Sequence, residues 1–350
     1  MKYIGYFVFL VAFIVIFVPV TILGGVGEGI KLPIILNKFP IVTNNNVKEI
    51  AKIDSNIKVK MFDVKNNKVK ELDLEDYVAG VVSAEMPVSF NIEALKAQAI
   101  AARTFVIANM ISLGGSGCNK HQGVDVCSDV HCQAWISKEE RLKLWDANSA
   151  LENWNKIMEA VESTKGLVIT YNGEIAKHIK YHSTSGGKTE DSRYVFGYQE
   201  PYLVSVESPY EEVAPNYITT VVMSKKEFIR RMKELSPNIN LSESKLATQI
   251  KILEWTEGGR VNRIKIGDKE FTGIDIRWAM GLKSAAFTIK IDTKNVTFTV
   301  KGYGHGVGMS QWGANEMGKR GYSYEDIIKH YYRGVEIQKI EDVLKLGQQP

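Results

Sequence analysis

Along this chain the apolar positions come first as a block and only later as a rhythm. Tyr3 to Leu23 is an uncharged apolar run, long enough to cross the ~30 Å hydrocarbon core as a helix. A cleavable signal peptide has a shorter apolar segment and small residues arranged for cleavage. Here the run is longer, and Thr21-Ile22-Leu23-Gly24 offers no clear site. Lys2 and the α-amino group are the only positive charges on the short N-terminal tail, which should keep the tail cytoplasmic and the rest outside. Residues 1–24 are therefore expected to be a transmembrane signal anchor. Residues 25–50, Gly-rich and then Asn-rich, read as a juxtamembrane linker.

From residue 51 the pattern alternates between the periods of strands and helices. Ile57–Val64 and Lys68–Asp73 flank Asn66-Asn67 and predict a hairpin. Asp73 predicts an N-cap for a helix beginning at Leu74, with Asp76 at the reciprocal capping position. That helix should stop near Glu85, because Pro87 pushes Met86 out of the helical region. Ile92, Leu95, Ala99, Ala102 and Val106 recur at helical spacing and predict a second helix from Ile92 to Ile111. Lys138 to Ser163 also reads as helical. Leu167–Tyr171 and Glu174–Ser183 flank Asn172-Gly173, the signal of a type I′ hairpin. Strands are expected at Tyr202–Val206, Tyr217–Met223, Gln249–Trp255, Val261–Ile266, Phe287–Asp292 and Val296–Gly302. Ser224 should cap a helix through Leu235, and Ser323 with Asp326 marks a last one through Tyr332. Helices mixed with antiparallel hairpins, without regular strand–helix alternation, predict an α+β fold. One extracytoplasmic domain over residues 51–340 is expected behind the single transmembrane helix.

Composition changes this picture little. The 350 residues are 45% hydrophobic and 24% charged, as in ordinary folded proteins. The net charge of +4 comes from 44 basic residues spread among 40 acidic ones, with no basic stripe interleaved with aromatics. That argues against a nucleic-acid partner, while a small positive excess suits an anionic one such as the cell wall. Cysteine usage says more. All three cysteines lie between Cys118 and Cys132, whereas a disulfide framework uses an even number spread through the fold. Cys118-x2-His121-x5-Cys127-x3-His131-Cys132 offers donors suited to tetrahedral zinc, though in no common finger spacing. The alternative, free thiols in a loop, sits badly with an oxidising exterior.

Two further groups of residues could carry chemistry. Glu85 ends an apolar helix, where the helix's partial negative charge disfavours a carboxylate and burial would raise its pKa. A carboxyl protonated near neutral pH is what a general acid for glycoside cleavage requires. From spacing alone, a solvated helix-end Glu is the plainer reading. Arg103, at the edge of the second helix's apolar stripe, either snorkels or meets a carboxylate, of substrate or of a catalytic Glu. The other group is two glycine-rich segments. Tyr181-His182-Ser183-Thr184-Ser185-Gly186-Gly187-Lys188-Thr189 suits close approach and dense hydrogen bonding to a polar ligand such as sugar, or simply a polar turn. Gly302-Tyr303-Gly304-His305-Gly306-Val307-Gly308-Met309-Ser310-Gln311-Trp312-Gly313-Ala314 lacks the Lys-Ser/Thr ending of a phosphate loop. His305 there could orient substrate or hold the loop.

Taken in order, these segments resemble the SpoIID family (stage II sporulation protein D). The likeness rests on Glu85-Met86-Pro87 ahead of the helix with Arg103-Thr104, then Ser183-Thr184-Ser185-Gly186-Gly187. It is completed by Gly304-His305-Gly306-Val307-Gly308-Met309-Ser310-Gln311-Trp312-Gly313-Ala314, and it runs from about Ile57 to Val335. The resemblance implies a membrane-anchored lytic transglycosylase that cuts the peptidoglycan of the sporulation septum during engulfment, alongside a SpoIIP-like amidase and a SpoIIM-like membrane protein. It implies Glu85 as the catalytic acid, and Arg103, Tyr181, Ser185, His305 and Gln311 are expected to bind substrate. The Cys/His insertion resembles that of zinc-binding members, with His121, Cys127 and Cys132 matching best and Cys118, His131 or a water as the fourth ligand. Related domains act as amidase enhancers, so a non-catalytic binding module is the alternative expectation.

Overall fold

The computed structural model describes residues 57–346; the expected anchor and linker lie outside the described residues. Among the described residues no helix is long and apolar enough to cross a membrane. The first hairpin forms as β1 (Lys58–Asp63) and β2 (Lys68–Asp73), with Asp63 opposite Lys68. Asn67 takes the positive φ, 48°, that the turn needs. Helix α1 (Leu74–Glu85) follows directly. Its N-cap Asp73 makes no capping hydrogen bond; its carboxylate pairs instead with Lys58 on the neighbouring strand at 2.7 Å, so the expected capping box does not form.

Helix α2 (Ile92–Asn109) is capped by Asn91, whose side chain accepts from the Glu93 amide. The apolar stripe read from spacing understates this helix. Leu95, Ala97, Gln98, Ala99, Ile100, Ala101 and Ala102 are all fully buried, so it is covered on every side, as a helix apolar around its whole circumference must be. Its alanines let neighbours approach closely, and α1, α4 (Ala150–Ser163) and β4 (Leu167–Tyr171) pack around it. The single helix expected over 138–163 is two, α3 (Lys138–Leu144) and α4, with Ser137 capping the first.

The Asn172-Gly173 turn forms with φ of 52° and 82°, but its second strand, β5, is only Glu174–Ile175. The chain breaks away at His178, itself at positive φ, and β6 (Tyr181–His182) pairs instead in parallel with β13 (Met309–Ser310). These two short strands bring both glycine-rich segments side by side. No strand forms at Tyr202–Val206, where only a bridge joins Lys188 to Glu207. Helix α5 (Ser192–Phe196) precedes that stretch.

A second lobe is built from residues 218–301. β7 (Ile218–Ser224) leads into α6 (Lys225–Leu235), with Ser224 as its cap, then α7 (Leu246–Gln249). β8 (Ile250–Trp255), β9 (Val261–Ile266) and β10 (Lys269–Thr272) form one antiparallel sheet. Thr272 and Asp275 then make a capping box for α8 (Gly273–Met280), a helix the hydrophobic pattern does not announce. β11 (Ala286–Ile291) and β12 (Asn295–Lys301) complete a second sheet in the order β11-β12-β7. The lobe has its own core around Phe228, Ile264, Phe287 and Phe298, distinct from the main core around α2. After β13 the chain returns to the main core through α9 (Gln311–Lys319), α10 (Tyr324–Tyr331), β14 (Glu336–Lys339) and α11 (Ile340–Leu346). Ser323 and Asp326 cap α10 reciprocally, as the sequence predicts.

Candidate active site

Glu85 is where α1 runs out: Met86 is extended, at φ −120° and ψ 141°, as the residue before a proline tends to be. Its half-buried carboxyl lies on a cavity of about 760 Å³ that reaches from the main body into the second lobe. Burial holds the Glu85 pKa above its ordinary value of 4.5. Two hydrogen bonds, from the Ala134 amide at 3.0 Å and from Gln311, act in the opposite sense and offset this only in part. The site is therefore tuned from both sides, with a net bias toward the protonated acid.

Tyr181 stands on the same cavity. The Tyr77 hydroxyl donates to Gln133 Oε1 at 2.9 Å, and Gln133 Nε2 donates to the Tyr181 hydroxyl at 2.9 Å. Burial first, and then the Glu85 carboxylate, hold the Tyr181 hydroxyl well above its ordinary pKa, so it remains neutral. Gln311 lines the cavity and donates to Gln98 at 3.3 Å. His305 lines it too, and its Nδ1 accepts from the Val307 amide at 3.0 Å. Burial, then the charges of Lys180, Arg277 and Arg260, push its pKa down to about 3. The ring is thus neutral, with its proton on Nε2. The structure brings Glu85, Tyr181, His305 and Gln311 to one cavity.

Two expected substrate contacts lie elsewhere. Arg103 is fully buried. It grips Glu75 in the first turn of α1 with Nε to Oε1 at 2.9 Å and Nη2 to Oε2 at 2.5 Å, and donates to the carbonyls of Leu167 and Val161. The carboxylate it meets is one turn into α1, while Glu85 is at that helix's far end. Ser185 is also buried. Gly186 and Gly187, at φ 87° and 107°, curl the loop so that Ser185 turns inward onto Glu211, and Ser183 is the serine of this segment that lines the cavity.

Glu211 is the residue the sequence pattern misses. Fully buried, it accepts from the Ser185 amide at 3.0 Å, the Ser185 hydroxyl, the Gly187 amide at 2.7 Å and the Ser310 hydroxyl at 2.5 Å. One carboxylate so joins the two glycine-rich segments. It comes from the short turn Glu211–Val213, whose local pattern carries no sign of this; only long-range assembly reveals it. Arg260 of the second lobe is similar. It donates to the carbonyls of Ser185, Lys188 and Gly258, with Glu190 at 3.9 Å.

The Cys/His segment closes against this site. Cys118, Cys127, His131 and Cys132 bring one donor atom each to within 4.8 Å of one another. The His131 Nδ1 lies 3.7, 3.7 and 3.4 Å from the sulfurs of Cys118, Cys127 and Cys132, and the Cys118 and Cys132 sulfurs are 3.7 Å apart. Tetrahedral bonds of about 2.3 Å to sulfur place the sulfurs about 3.8 Å apart, so the group could hold a metal ion. The histidine here is His131 and not His121. A backbone bond from Cys118 to Val124 makes His121 the tip of a turn, where it stacks on Phe62 at 3.9 Å. The turn closed by the Cys132 amide on Asp129 folds His131 back toward Cys127. Cys132 is followed at once by Gln133 and Ala134, the residues that hold Tyr181 and Glu85.

Comparison with known proteins gives the family of the chain. A sequence profile described as SpoIID, Stage II sporulation protein, matches residues 63–171. The chain is 39% identical over 291 residues to the Stage II sporulation protein D of Bacillus amyloliquefaciens, covering 83% of this chain and 81% of that one. It is 38% identical over 290 residues to the Stage II sporulation protein D of Bacillus subtilis (strain 168), with the same coverage of 83% and 81%. It is also 29% identical over 308 residues to the amidase enhancer of Bacillus subtilis (strain 168), covering 74% of this chain and 40% of that relative.

Proposed function

The chain belongs to the stage II sporulation protein D family, and from that premise we propose that it is a lytic transglycosylase that cuts peptidoglycan glycan strands with Glu85. The observation that carries the reading is a half-buried carboxyl, held above its ordinary pKa by burial, at the wall of a cleft of about 760 Å³. Glu85 donates its proton to the oxygen linking N-acetylmuramic acid to N-acetylglucosamine, and the bond from C1 to that oxygen breaks. The muramoyl C6 hydroxyl closes on C1 to give the 1,6-anhydro ring and returns its proton to Glu85. No water is consumed, so one carboxyl suffices where most glycosidases need two. Tyr181, neutral beside Glu85, and Gln311 orient the sugar, while His305 and Glu211 hold the loops that carry them.

In this reading residues 1–24 anchor the enzyme in the membrane at the sporulation septum with the catalytic body outside. Zinc on Cys118, Cys127, His131 and Cys132 is structural: four protein ligands leave no open position for catalysis, and the ion would fix the segment that supplies Gln133 and Ala134. The amidase-enhancer relative supports a second reading, in which the cleft binds glycan and positions an amidase without cutting. Incubating peptide-free glycan with wild type and Glu85→Gln separates the two. Anhydro-muramoyl ends made only by wild type are the expected outcome. Equal activity of both forms removes Glu85 as the acid, and reducing ends in place of anhydro ends make the enzyme a hydrolase.

A further inference from the structure

The cavity that holds Glu85 is lined by more cations than the catalytic reading uses. Arg260 has Glu190 at 3.9 Å and donates to three carbonyls, although its Nε is buried without a partner. Among the described residues Lys180 and Arg277 make no ion pair with a carboxylate, though Lys180 faces Cys132, a thiolate when a metal is bound there. Lys180 sits over the rings of Phe105 and Phe196 at 5.6 and 5.1 Å. Arg277, on α8 of the second lobe, stacks at 5.0 Å on Trp278, and its Nε is buried without a partner. Both charges bear on His305. Trp278 is itself 72% exposed and lines the same cavity.

A partly buried cation without a carboxylate beside it is costly, and in Arg277 that charge lies against an exposed indole that fronts the same cleft. A single ligand completes both: a sugar ring stacked on the indole and carrying an acid group. We propose that Arg277 and Trp278, with Lys180 of the main body, form a subsite for a carboxylate-bearing sugar of the glycan strand. This rests on the reading that the cleft takes such a strand. The carboxylate is either the lactyl group of a peptide-free muramoyl residue or that of a stem peptide. A neutral N-acetylglucosamine oligomer has neither.

The test is equilibrium binding by the full chain in detergent, in a Glu85→Gln background so that nothing is cut. The ligands are a peptide-free muramoyl-containing oligomer, its peptide-bearing counterpart and an N-acetylglucosamine oligomer of equal length. A carboxylate ligand should bind about tenfold or more tighter than the neutral one. Arg277→Gln should erase most of that margin while leaving affinity for the neutral oligomer unchanged. Trp278→Ala should weaken all three ligands alike. A tighter peptide-free oligomer identifies the lactyl carboxylate, and a tighter peptide-bearing one identifies the stem. If the neutral oligomer binds as well as both acidic ones, or if the margin survives Arg277→Gln in a variant that melts like its parent, the subsite is wrong. Cleavage by wild type with no margin sinks the subsite alone. A margin with no cleavage by wild type sinks the catalytic reading alone.

Discussion

Replacing Arg103 by methionine is the sharpest test of where the cleft ends. The guanidinium is fully buried and bidentate on Glu75, whose side chain is 11% exposed. It also satisfies the carbonyls of Leu167 and Val161. Methionine fills similar space but strands a buried carboxylate, at a cost of about 3–5 kcal/mol. The two carbonyls add to this, since an orphaned buried acceptor costs about 1–3 kcal/mol unless water reaches it. A loss of about 5 kcal/mol or more is a large share of the ~5–15 kcal/mol that holds a domain together, and should lower Tm by roughly 10 °C or more in a body of this size. Urea unfolding followed by circular dichroism reads the change. The double variant Arg103→Met with Glu75→Leu should recover much of it, because the stranded charge is then gone. Unchanged unfolding in Arg103→Met together with a tenfold or greater loss of glycan binding would refute the reasoning and return Arg103 to the substrate.

Other outcomes follow from the same geometry. Gln311→Leu removes a hydrogen bond that favours ionised Glu85, so the basic limb of the pH–activity profile should move to higher pH; a limb that stays or moves down contradicts the assignment. For stability the sign is the reverse of the usual carboxylate. The folded state binds the Glu85 proton more readily than the unfolded one, so the contribution of Glu85 falls as pH rises from its ordinary value of 4.5 through the raised one. Glu211→Gln puts an amide against donors on both carboxylate oxygens, and should cost a few kcal/mol with loss of cleavage; an active, equally stable variant would sever the link between the two loops. Cys127→Ser should release about one equivalent of metal, measured by elemental analysis, and lower the melting temperature, whereas His121→Ala should keep the metal.

What the sequence shows plainly is local. The Asn66-Asn67 and Asn172-Gly173 turns, the Ser224 and Ser323 caps and the stop at Pro87 depend on neighbours a few residues away, and each is where the pattern puts it. Glu85, Tyr181, His305 and Gln311, from motifs far apart in the sequence, line one cavity. What fails is partnership at a distance. Arg103 could meet any carboxylate, and only the packing of α1 against α2 selects Glu75. His121 and His131 offer the same imidazole, and the direction of two turns decides between them. Asp73 has the chemistry of a cap, but Lys58 on the paired strand claims it.

The second lobe leaves and rejoins the main body at adjacent points. Ile218 pairs with Lys301 at the end of the β7–β12 ladder, and the Gly302 amide donates to the Tyr217 carbonyl at 2.8 Å. A segment whose two ends already touch can be lengthened, shortened or exchanged without reopening the chain on either side. The half of the cleft that carries Arg277 and Trp278 is thus a replaceable module. Descent can rewrite the face presented there while Glu85 on α1, built from an earlier stretch of sequence, is inherited untouched.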